Sequence, residues 1–143
     1  MSPSTTAGLA QNPWRCVLLV TSNQRDRDSL DSVLENTRWR VEPAASTEEA
    51  IQRLRAVPFS VVLWDRDAAG ADWKDGLRRL AGVSHRPAVL LLSEVADPYL
   101  WEEVIRAGGF EVMTRPFRRN ETLAALEFAH RHWEASLRKL RSA

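Results

Sequence analysis

Five short apolar runs recur along the chain, and amphipathic stretches separate them. "CVLLV" at 16–20, "VVLW" at 61–64 and "AVLLL" at 88–92 are apolar without alternation, the pattern of strands buried on both faces. "WRVEP" at 39–43 alternates and stops at a proline, as an edge strand does, and "FEVM" at 110–113 predicts a fifth strand. Between the runs, apolar residues return at three- and four-residue spacing. Leu30, Val33 and Leu34 share one face of a helix predicted over 26–36. Ser46 and Glu49 form a capping box ahead of Ile51, Leu54 and Val57, and Pro58 ends that helix. Trp73, Leu77 and Leu80 mark a third helix. Asp97-Pro98 starts a fourth, with Leu100, Val104 and Ile105 as its buried stripe and Gly108-Gly109 as its stop. Asn120 is placed as the cap of a long last helix over about 120–141.

The resulting order, β-α repeated five times, with three inner strands apolar on both faces, requires a sheet covered by helices on both sides. The expected fold is therefore α/β, a doubly wound five-stranded parallel sheet of flavodoxin-like type. Ligands and chemistry in such sheets collect at the carboxyl ends of the strands. Those ends carry Thr21-Ser22-Asn23, Asp65-Arg66-Asp67, Ser93-Glu94 and Thr114-Arg115-Pro116. Asp65 stands out, because a carboxylate closing a buried strand is either a capping acid or a piece of chemistry.

Composition narrows the function classes. A chain of 143 residues with 20 Lys+Arg against 19 Asp+Glu has the balance of an ordinary globular domain, not the basic excess that nucleic acid or a membrane surface selects. No membrane contact and no direct nucleic-acid binding are expected. One cysteine, Cys16, excludes an internal disulfide and fits a reducing cytoplasm. Residues 1–13 have neither a basic start nor an apolar core and read as a tail ahead of a domain over 14–143. Phosphate-loop, dinucleotide and nucleophile-elbow motifs are absent.

Taken together in this order, Asp65 closing the third strand, Ser93 closing the fourth and "RPF" at 115–117 following the fifth make the chain resemble a response-regulator receiver domain, over about residues 15 to 130. The resemblance implies a phosphorelay signalling module rather than an enzyme. It makes Asp65 the phosphoacceptor by position, Ser93 the hydroxyl that contacts the phosphoryl group, and Pro116 a candidate cis-proline. It implies a histidine kinase, an output domain or a second copy as partner, with Trp101 on the fourth helix facing outward where such domains meet partners.

Several positions depart from the family pattern. Thr21 and Ser22 stand where an acidic pair holds Mg²⁺, Arg115 replaces a lysine, and Val112 occupies the place of a switch aromatic. Ala69 and Asp72 replace the usual residues of the loop after Asp65. Mg²⁺ rests on carboxylates and phosphoryl transfer relies on cations, so no resident cofactor is expected unless the site keeps an unusual metal arrangement. Asp26 and Asp28 are assigned to capping the first helix. Arg115, whose fork grips a carboxylate with two bonds, is expected either to pair with Asp65 or to face solvent. Three readings follow: an atypical receiver acting mainly through protein contact with impaired phosphorylation, a competent receiver with a nonstandard metal site, or a module binding a small phosphate ligand at "TSNQRD". In the last helix, Leu123, Leu126, His130, Trp133, Leu137 and Leu140 form a heptad-like seam. Trp133, Leu137 and Leu140 are accordingly expected to meet another chain, as in a homodimer, and His85, His130 and His132 to lie in loops or on the surface.

Overall fold

Strands β1 (Cys16–Val20), β3 (Val61–Asp65) and β4 (Ala88–Ser93) are buried at every position, as their unbroken apolar runs require. β2 (Arg40–Ala44) and β5 (Glu111–Thr114), with partly exposed residues, form the edges. The computed structural model describes residues 15–67, 73–95 and 97–142. The expected tail at 1–13, together with Ala69 and Asp72, lies outside them. All pairings are parallel, in the order β2-β1-β3-β4-β5, which is the doubly wound sheet. β1 and β3 are neighbours with β2 thrown to the edge, so the direction of winding reverses between them and opens a crevice at their carboxyl ends.

Successive residues of a strand point to opposite faces, so the sheet carries two cores. Leu18, Val20, Val62, Trp64, Val89 and Leu91 face helices α2 (Thr47–Ala56), α3 (Trp73–Ala81) and α4 (Pro98–Arg106). Val17, Leu19, Val61, Leu63, Leu90 and Leu92 face α1 (Gln24–Val33) and α5 (Arg119–Ser142). Trp64 is fully buried, and Gly76 on α3 makes room for it: a Cβ there would stand 2.8 Å from Trp64 Cζ2.

The helix starts follow their capping chemistry. Ser46 accepts the Glu49 amide at 3.2 Å, and the Glu49 carboxylate accepts the Ala45 amide at 2.7 Å. Asp97 accepts the Leu100 amide at 2.8 Å with Pro98 in the first helical turn. α1 begins two residues before its expected start, because Asn23 is the cap and accepts the Arg25 amide at 2.9 Å. α5 starts at Arg119, which places Asn120 inside the first turn instead of at the cap. Ile105 is exposed rather than part of the buried stripe of α4, which rests on Leu100 and Val104.

From Leu126 to Trp133 the heptad-like seam of α5 is intramolecular. Leu126, His130 and Trp133 are buried, and the Trp133 indole N–H donates to the His85 carbonyl at 2.9 Å. Trp133 therefore packs against its own domain and is not the exposed docking residue that its place on a basic helix predicts. Leu137 is half-buried, and the side chain of Leu140 lies outside the described residues. His130, expected at the surface, is fully buried between Arg15, Ser60 and Glu134, with its Nδ1 3.0 Å from Ser60 Oγ. At 24 residues, about 36 Å, α5 is longer than the strands it covers, and its far half continues past the amino ends of β3 and β4.

Candidate functional site

The carboxyl ends of β1, β3 and β5 bring Thr21, Asp65 and Arg115 together, and the first turn of α1 adds Asp26. Asp65 and Asp26 are both 4% exposed. The Arg115 guanidinium lies between them. Its Nε donates to Asp26 Oδ1 at 2.8 Å and its Nη2 to Asp26 Oδ2 at 2.7 Å, a bidentate fork. The same Nη2 stands 3.1 Å from Asp65 Oδ1. Arg115 thus reaches Asp65, as one of the two expectations had it, but its two aligned bonds go to Asp26.

Both oxygens of Asp65 have a donor within hydrogen-bonding distance. Oδ1 also accepts the Asp67 amide at 3.1 Å, and Oδ2 lies 3.2 Å from the Thr21 hydroxyl. That hydroxyl is 2.9 Å from Asp26 Oδ2 and has one proton, so it serves one carboxylate at a time. Thr21 Oγ1 in turn accepts the Asn23 amide at 3.1 Å, which fixes its rotamer. Arg115 Nη1 makes no hydrogen bond, and Glu94 approaches it at 3.5 Å from a mostly exposed position. That contact is a loose surface pair and adds little.

Asp26 corrects the sequence reading. Assigned to helix capping, it is instead the principal partner of Arg115, because Asn23 fills the cap and leaves the acid three residues later free to turn into the crevice. Burial pushes the Asp26 carboxyl up, but the Arg115 and Thr21 hydrogen bonds and the Arg115 charge outweigh it and hold the carboxyl below its ordinary range. Donating to the Asp26 carboxylate in turn raises the Arg115 guanidinium, so its charge is permanent. The sequence carries only part of this signal: an arginine where a lysine is usual calls for a planar carboxylate, but nothing local singles out Asp26 from the other acids.

The remaining site residues are less engaged. Ser93 is buried in register with Thr114, and its hydroxyl accepts the Val95 amide at 3.3 Å. Ser22 is exposed. The Arg115–Pro116 peptide is cis. Val112 is half-buried against the core of the α4 face.

The sequence pattern of the response regulator receiver domain matches residues 17–127. The chain belongs to that family. Among solved structures, the receiver domain of an HD-domain-containing protein from Pseudomonas fluorescens is 22% identical, with a TM-score of 0.75 over 86% of this chain and 91% of that one. The Vibrio cholerae chemotaxis protein CheY4 is 21% identical, with a TM-score of 0.71 over 80% and 97%. The beryllofluoride-activated NtrC4 receiver domain dimer is 19% identical, with a TM-score of 0.73 over 83% and 98%. Comparison with curated proteins finds no match.

Receiver domains typically use Mg²⁺ beside the acceptor aspartate, and the residues here do not fit that ion as they stand. Thr21 and Ser22 supply hydroxyls where carboxylates hold it, and the described residues contain no cluster of three or more metal-ligating side chains. Asp26 and Asp65 are both taken by a guanidinium, so a dication there would meet a fixed positive charge within a few ångströms. The same carboxylate in the first turn of α1 repels anions, which weighs against a phosphate ligand at "TSNQRD".

Proposed function

We propose that this receiver domain of two-component signalling works mainly through protein contact, with its phosphorylation site held shut by an internal cation. The observation that carries the reading is Arg115 spanning Asp26 and Asp65. An acceptor carboxylate needs an accessible oxygen and a cation able to take up charge developing on the phosphoryl oxygens. Here Asp65 Oδ1 is held by Arg115 and the Asp67 amide, Oδ2 competes with Asp26 for the Thr21 proton, and the Arg115 charge is largely neutralised by Asp26. Receiver domains are generally signalling modules rather than enzymes, and this one belongs with them, operating in the cytoplasm without a resident cofactor.

Contact with a signalling protein or a second copy would use α4, where Tyr99 (76% exposed), Trp101 (46%) and Ile105 (40%) lie outward. Trp101 and Ile105, four residues apart, share one face of this helix, and exposed large apolar side chains of this kind suit a partner contact. The dimeric NtrC4 receiver, similar in fold, gives self-association a precedent. Incubation with acetyl phosphate and Mg²⁺ followed by intact mass measurement tests the reading. Unmodified protein is expected; a phosphoryl adduct that disappears in Asp65→Asn would overturn it.

One observation favours a second reading. Asp26 restores a carboxylate beside Asp65, and Glu94 offers Arg115 an alternative partner 3.5 Å from Nη1. If Arg115 swung to Glu94, the two aspartates would form a nonstandard Mg²⁺ site, and the adduct would form.

A further inference from the structure

A cleft of about 460 Å³ opens at the opposite end of the sheet from Asp65, between the loop at 82–87, the start of β5 and the far half of α5. Its volume lies within the range of about 300–1,000 Å³ usual for small-molecule sites. Trp133 and Phe110 supply apolar wall, and Arg86, Lys139, His85 and His132 supply the polar one. Among the described residues no aspartate or glutamate lines it, in a chain that carries nearly as many acids as bases. Neither Arg86 nor Lys139 forms an ion pair among the described residues, whereas Arg53, Lys74, Arg79 and Arg115 do.

The walls are fixed. The Trp133 indole ties α5 to the His85 carbonyl at 2.9 Å, and the Arg86 amide donates to the Val83 carbonyl at 2.8 Å. Arg86 has a φ of 46°, a left-handed conformation uncommon for a residue with a side chain, and the turn it closes sets its position at the rim. The Phe110 and His132 rings lie 4.9 Å apart and together make one side of the opening.

We propose that this cleft binds a small organic anion with a flat apolar body, such as an aromatic carboxylate. The ring system would lie against Trp133 and Phe110. The anionic group would meet Arg86 and Lys139. A neutral aromatic would leave the two cations without a partner, and a bare phosphate would leave the aromatic wall uncovered. The residues preceding Arg15 contain no acidic side chain and so cannot supply the anion. The inference does not depend on the state of Asp65.

Titration of the ¹⁵N-labelled full chain with 1-naphthoate tests it, following the Trp133 indole N–H and the Gly108 and Gly109 amides that border the cleft. Saturable shifts at these three signals are expected. The neutral 1-naphthalenemethanol should bind at least about tenfold more weakly, because it forgoes charge-assisted hydrogen bonds. A double variant, Arg86→Gln with Lys139→Gln, should lose about tenfold in naphthoate affinity while the rest of its spectrum matches the parent. Equal binding of alcohol and naphthoate, shifts centred elsewhere, no saturable shift, or undiminished affinity in the folded double variant would each overturn the proposal.

Discussion

Replacing Arg115 with alanine removes the one cation shared by two buried carboxylates. Asp26 loses contacts at 2.8 and 2.7 Å and Asp65 one at 3.1 Å, from side chains that in the parent are about 95% out of water. Deleting one partner of a buried ion pair costs about 3–5 kcal/mol. The Arg115 side chain is 18% exposed, so water can enter its place, and the lower end, about 3 kcal/mol at pH 7, is the expected loss. For a domain of this size that corresponds to a melting temperature lower by about 10 °C. The pH dependence carries the mechanism. In the parent, Asp26 is held below its ordinary range, so its contribution is present above the unfolded-state value near 3.9 and lost as pH falls through the folded value. Without Arg115 the Thr21 hydrogen bond alone still favours the charged form, against burial and the neighbouring carboxylate, which together favour the protonated acid. The Asp26 contribution in the variant is then present at low pH and lost as pH rises. The gap between parent and Arg115→Ala should therefore be widest at pH 7 and shrink towards pH 4. Urea unfolding at both pH values, followed by tryptophan fluorescence, measures it. A gap below about 1 kcal/mol at pH 7, the size of an exposed pair, or one that does not narrow on acidification would refute the argument.

Arg115→Lys should recover only part of that stability, because an ammonium cannot reproduce the fork on Asp26, and denaturant midpoints of the three proteins rank them. Trp133→Ala should cost about 3–5 kcal/mol in urea unfolding, as a buried indole does, where an exposed docking residue would cost almost nothing. Tyr99→Ala and Trp101→Ala on α4 should change stability by no more than about 0.5 kcal/mol, yet weaken self-association or partner binding in sedimentation experiments. Gly76→Ala should cost about 1–3 kcal/mol by overpacking against Trp64, read as a lowered thermal midpoint. Burial holds His130 below its ordinary value, so its contribution is present above the unfolded value near 6.5 and lost as pH falls; the decline in stability from pH 7 to 5 should flatten in His130→Gln.

The fold was legible because its signals are short-range and redundant. Unbroken apolar runs at β1, β3 and β4 admit few environments other than a sheet covered on both faces, and Ser46, Glu49 and Asp97 announce their helices through local hydrogen bonds. Asp65 was legible for the same reason, as a charge closing a buried strand. Asp26 was not, because a first-turn acid usually caps, and only the arrival of Arg115 from 89 positions away gives it another partner. Trp133 and His130 were misplaced on a related ground. A heptad-like stripe records that one helix face is buried and does not record whether its own sheet or another chain covers it. Here the sheet does, with Ser60 and the His85 carbonyl as the polar partners that make the burial of a histidine and an indole possible.

The central claim is that Arg115 occupies the charge site beside Asp65 and keeps it from phosphoryl chemistry. Backbone amide spectra recorded with and without Mg²⁺ and beryllofluoride test this most directly. The account predicts superimposable spectra at Asp65, Ser93 and Arg115. Saturable shifts at those three residues that vanish in Asp65→Asn would contradict it.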